Sequence, residues 1–193
     1  MNPLLERFAP DAPLFVRVRD GEVRAFSAAR CAGAVDALAA ALPPGRYAIQ
    51  CCVDTLELAL GTLAAWRAGQ TVVMPSTRLA ADLDGLRQRF ADSYVLDTAA
   101  FGAAVQRAMP PRIAPAFAST SAPQAADGDA ACRLLVSAAP RWPAFGLDPA
   151  HQAIVLFTSG STREPRPQAK TWDALVRGAE TFCRAFVPLT RPP

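Results

Sequence analysis

Lysine is nearly missing from this 193-residue chain: of 20 basic residues only Lys170 is a lysine, and the other basic positions are arginine. Codon bias in a GC-rich genome accounts for the general replacement, but not for where the one survivor stands. Histidine also occurs once, at His151. The five cysteines (Cys31, Cys51, Cys52, Cys132 and Cys183) are odd in number and form no C-x-x-C pair or Cys/His cluster. That pattern excludes a disulfide framework and a zinc site. No apolar run is long enough to span a bilayer, the longest being "LALGTLAAW" from Leu58 to Trp66. The start "MNPLLERFAP" lacks a basic segment leading into an apolar one, so no secretory signal is expected and the cytoplasm is the expected location. A formal charge of +3, with the arginines scattered, lacks the dense basic stripe that nucleic acid demands. No metal site and no nucleic-acid partner are expected.

What remains is a globular composition, 51% hydrophobic and 19% charged, long enough for one domain. "LFVRVRDGEVRAFS" (Leu14 to Ser27) alternates on both sides of Asp20-Gly21, which predicts an N-terminal β-hairpin. Ser27 then caps a helix through "AARCAGAVDALAAAL", ending at Pro43-Pro44-Gly45. "YAIQCCV" predicts a strand over 47–53, Asp54 opens the helix "TLELALGTLAAWRAG", and "TVVMP" is a second strand. A helix around "LAADLDGLRQRF" and a strand "SYVLD" follow, with "AFGAAVQRAM" as one more short helix. Strands alternating with helices at this spacing imply an α/β fold with a mostly parallel sheet. The Pro/Ala/Ser-rich stretch 110–131 reads as a surface loop. Order resumes with "CRLLVSAAP" and "HQAIVLFTSG", each consistent with a buried strand, and "TWDALVRGAETFCRAF" reads as a final helix.

The chemistry concentrates in "FTSGSTREPRPQAK" (Phe157 to Lys170), where an apolar strand runs into a small, hydroxyl-rich turn. In an open α/β sheet such a turn lies at the carboxyl end of the strands, where ligands bind. Backbone N–H groups of a Gly/Ser/Thr turn form an anion nest, and Thr158, Ser159, Ser161 and Thr162 add four hydroxyl donors around Gly160. Each bond to a phosphate oxygen contributes about 1.5–3 kcal/mol, and Lys170 supplies positive charge. The spacing fits neither a Walker A loop, nor a Rossmann fingerprint, nor a G-x-S-x-G nucleophile elbow. From chemistry alone, a polar turn without a ligand is the competing reading.

"FTSGSTREPRPQAKTW" resembles the phosphate-loop signature T-S-G-[ST]-T-G-x-P-K of acyl-adenylate-forming enzymes, the group of acyl-CoA synthetases and adenylation domains. Thr158, Ser159, Gly160, Ser161, Thr162 and Pro165 match. The P-x-P-x-x-K-T-W tail is similar to the AMP-ligase branch of pigment and aryl-polyene pathways. The resemblance implies that residues 1–193 form a single N-terminal subdomain, incomplete relative to the full ligase fold. It implies ATP and Mg²⁺ as cofactors, a small carboxylic acid as substrate, and CoA or an acyl carrier protein as thiol acceptor. Thr158 to Thr162 would cradle the β- and γ-phosphates; Lys170 as a further ligand rests on its charge, not on the signature. No catalytic residue is assigned.

Two departures qualify that picture. The glycine expected after Ser161-Thr162 is Arg163, and the basic residue after Pro165 is Arg166 rather than lysine. The later motifs and the distal lysine of the group have no counterpart, so a complementing C-terminal polypeptide is an expected partner. The alternatives are a non-catalytic nucleotide- or partner-binding module, and a degenerate gene product.

Overall fold

The computed structural model describes residues 11, 13–19, 22–99, 101, 104, 147–158 and 165–186. The expected surface loop at 110–131, the expected strand "CRLLVSAAP" and most of the short helix at 101–109 lie outside them. The expected hairpin is present: β1 (Pro13–Arg19) pairs antiparallel with β2 (Glu22–Ser27). At its end Ser27 is extended and its side chain accepts from the Arg30 amide at 3.4 Å, which starts α1 (Ala28–Ala41). Ala28, Cys31, Ala34, Val35 and Leu38 recur on one face of α1 and are buried.

Five further strands form one sheet in the order β5-β3-β4-β6-β7. β3 (Tyr47–Gln50), β4 (Thr71–Met74), β5 (Ser93–Leu96) and β6 (Gln152–Thr158) are mutually parallel. β3 stops at Gln50, short of the expected 47–53, because the chain turns into the Asp54 cap. Asp54 accepts from the amides of Leu56 and Glu57, opening α2 (Thr55–Arg67) as the sequence predicts.

One element departs from expectation. Residues read as loop form β7 (Arg166–Thr171), antiparallel to β6 at the sheet edge. Its sequence, "RPQAKT", has neither apolar alternation nor β-branched enrichment, and Pro167 reads as a breaker. An edge strand tolerates both, since one side of its backbone needs no partner.

The two faces of the sheet are covered unequally. On one, Ala48, Val72 and Ile154 pack with Ala65 and Trp66 from α2 and Leu175 from α4 (Trp172–Phe186). On the other, Ile49, Val73 and Val155 pack with Leu83 and Leu86 of α3 (Ala80–Arg89) and with Phe90. α1 and α2 share a core with Cys52, Leu96 and Phe101. Trp66 and Trp172 meet edge-to-face at 5.3 Å, and the Trp66 indole donates to the Ala153 carbonyl at 2.8 Å. This pair ties the start of α4, and with it the β6–β7 hairpin, to α2.

Candidate functional site

The carboxyl ends of β3, β4, β5 and β6 share one edge of the sheet, because these strands are parallel. Two places on that edge offer a ligand seat. The first lies between β3 and β4, whose following helices leave to opposite faces of the sheet, the topology that opens a crevice. Here the protein closes the gap itself: the Arg78 guanidinium, from the turn after β4, donates to the Cys52 carbonyl at 3.2 Å. The thiols behind it are poor nucleophiles. Burial, with the Glu57 carboxylate adding to it, pushes Cys52 up to about 12. Burial likewise raises Cys51 above its ordinary value, so neither supplies a thiolate near neutrality.

The second place is the root of the β6–β7 hairpin. Thr158 closes β6 and pairs with Arg166, the first residue of β7. The turn between them carries Ser159, Gly160, Ser161 and Thr162, which lie outside the described residues, as does Arg163. Thr158 is therefore the one member of the expected cradle whose backbone place is described. Because β4 adjoins β6, the turn departs beside the end of β4. The strand predicted in "AIVLFTSG" is present as β6, and it ends at Thr158 on the carboxyl edge of the sheet.

Lys170 is placed along β7, away from the hairpin root. Lys170 stands opposite Ile154, four positions along β7 from Arg166. At about 3.4 Å per residue that is roughly 13 Å, longer than a lysine side chain. The basic residue at the hairpin root is Arg166, which is exposed. The signature places a basic residue immediately after its proline, and that spacing was the signal for Arg166.

His151 Nε2 lies 3.5 Å from the Gln70 carbonyl oxygen, on the amino side of β6 and so at the opposite end of the sheet. Among the described residues no group of three or more His, Cys, Asp or Glu converges as a metal site. Nor is any helix among them long and apolar enough to cross a membrane.

No family model matches the sequence, and no curated protein matches it. Solved structures do. The NpsA N-terminal subdomain of Klebsiella oxytoca, in complex with anthranilyl-AMSN, superposes with a TM-score of 0.56 at 18% identity, over 90% of this chain and 40% of that one. A malonyl-CoA ligase in a ternary product complex with methylmalonyl-CoA and AMP gives a TM-score of 0.57 at 25% identity, over 97% of this chain and 36% of that one. o-Succinylbenzoate CoA synthetase (MenE) of Bacillus subtilis, bound to the acyl-adenylate OSB-AMP, gives 0.52 at 13% identity, covering 84% and 40%. The chain thus spans well under half the length of each. It has the fold of the N-terminal portion of acyl-adenylate-forming enzymes.

Proposed function

We propose that residues 1–193 are one N-terminal subdomain of an AMP-forming carboxylate ligase, acting in the cytoplasm, and that the turn at 159–164 holds the phosphates of ATP. The observation that carries this reading is the β6–β7 hairpin. Its root is at Thr158, the first residue of the expected "TSGST" cradle, at the carboxyl edge of a parallel sheet, within a fold similar to ligases that bind acyl-adenylates, their analogues or AMP. In this reading Thr158 to Thr162 supply the hydroxyl and amide donors. Arg166, at the hairpin root, supplies positive charge, with Lys170, four positions further along β7, as the more distant cation. Mg²⁺ would share the neutralisation as pyrophosphate leaves; when bound it supplies Lewis-acid charge that the turn alone lacks.

The whole reaction belongs to a larger body. The NpsA subdomain and the malonyl-CoA ligase are each more than twice the span matched here, and in this reading adenylation draws on parts of that larger body outside the match. A complementing C-terminal polypeptide, a small carboxylic acid and either CoA or a carrier protein complete the set. The fusion of NpsA with the carrier ThdA supports a carrier as the acceptor kind. Arg163, in place of the signature glycine, favours one other reading, a degenerate gene product without nucleotide binding.

Titration of the purified chain with MgATP separates the two. The ligase reading predicts saturable binding, competed by pyrophosphate and weakened about tenfold by Arg166→Glu, the loss of one charge-assisted contact. It also predicts no ATP–pyrophosphate exchange by the chain alone. Absence of binding at millimolar MgATP would leave only the second reading standing.

A further inference from the structure

The β6–β7 hairpin contains one irregularity, at the end away from the turn. Gln152 pairs with Thr171 and the next pair is Ile154–Lys170, two steps on β6 against one on β7. Ala153 is thus the extra residue of a β-bulge. The pairing before the bulge is anchored from several sides. The Trp172 amide donates to the His151 carbonyl at 2.8 Å and the Asp173 amide to the Pro149 carbonyl at 3.1 Å. The Thr71 hydroxyl donates to the Gln152 carbonyl at 2.5 Å. With that end fixed, the bulge decides every pair beyond it. As the hairpin stands, Thr158 faces Arg166 and Leu156 faces Gln168. Without the bulge, Thr158 would face Pro165 and Leu156 would face Pro167. Arg166 would then sit opposite Phe157, on the other face of the sheet from Thr158.

The bulge is gripped by a side chain from outside the hairpin. Trp66, near the end of α2, donates its indole N–H to the Ala153 carbonyl at 2.8 Å, and Ala153 is fully buried. A regular strand aims its carbonyls sideways, toward the neighbouring strands. A helix packed on the face of the sheet reaches one only where the strand departs from that pattern, as it does at a bulge. The indole bond therefore supports the bulged register and not the regular one. Trp172, 6% exposed and edge-to-face with Trp66, holds the indole in place. We propose that Trp66 is a positioning residue for the phosphate turn: by locking the bulge at Ala153, it sets Arg166 beside Thr158 at the hairpin root. The effect on nucleotide rests on the phosphate reading, whereas the register does not.

The test compares the 193-residue chain with Trp66→Phe, which keeps an aromatic ring beside Trp172 and lacks the N–H. Cross-strand NMR contacts read the register directly. The parent should show Leu156 against Gln168, and the variant should also show Leu156 against Pro167. MgATP should bind the variant at least about fivefold more weakly. In that background Arg166→Glu should cost less than about twofold more, against about tenfold in the parent, because the guanidinium has already left the root. If the Phe variant melts early, benzothienylalanine at position 66 keeps the bicyclic shape without the N–H and gives the same readouts. A purely structural role for Trp66 would lower the melting temperature and leave the register and the Arg166 effect as in the parent. Leu156–Gln168 contacts alone in both variants, or an undiminished effect of Arg166→Glu, would therefore overturn the proposal. Failure of the parent to bind MgATP would sink the phosphate reading instead, with the NMR contacts still deciding the role of Trp66.

Discussion

Gly61 sits where α2 comes closest to the sheet. A Cβ placed there would lie 2.7 Å from Leu96 Cδ2 and 2.8 Å from Gln50 Nε2, closer than packed atoms tolerate. Gln50 cannot yield easily. Its side chain is buried, its amide donates to the Leu58 carbonyl at 3.1 Å, and its oxygen accepts from the Cys52 amide at 3.2 Å. Gly61→Ala should therefore destabilise the fold by about 1–3 kcal/mol, read as a lower urea midpoint with an unchanged slope. The buried thiols and phenol give a pH prediction. Burial raises Cys31 to about 11, Cys52 to about 12 and Tyr94 to about 12, from ordinary values of 9.0, 9.0 and 10.0. For groups raised in the folded state, the stabilisation is complete below the unfolded value and lost as pH climbs toward the folded one. The melting temperature should be flat up to about pH 9 and fall steadily above it, and Cys52 should resist thiol reagents at neutral pH in the folded protein. Rapid labelling of Cys52 in the folded chain, or a melting temperature insensitive to alkali, would contradict this.

At the scale of elements, Asp54 both ends β3 and caps α2, so Asp54→Ala should cost about 1 kcal/mol and fray the helix whose first turn carries Glu57; helical signal and chemical denaturation would register it. Most elements were legible because local rules and burial agree. Alternation gave β1 and β2, and the Ser27 cap with the Pro43-Pro44-Gly45 stop gave α1. β7 was not legible, because its strand character comes from pairing with β6 and not from its own residues. The register of β7 also sets Lys170 opposite Ile154, four positions from Arg166, a placement that the motif's spacing did not carry. The cation at the hairpin root was legible only as a position in the signature, since its closeness to Thr158 depends on the register.

At the scale of the whole molecule, the mostly parallel sheet was readable from the alternation of strands and helices. The likeness to adenylate-forming enzymes was readable from one motif, and the structural matches extend it over nearly the entire chain. What the sequence pattern could not supply was which edge residues face one another across β6 and β7. The central claim is that the hairpin turn is a phosphate cradle, and one measurement tests it most directly: calorimetric titration of the chain with MgATP, beside a Gly160→Asp variant. The account predicts saturable heat for the parent chain that pyrophosphate abolishes and the variant lacks, with both proteins melting alike. Equal binding by the two proteins, or binding that pyrophosphate leaves untouched, would contradict it.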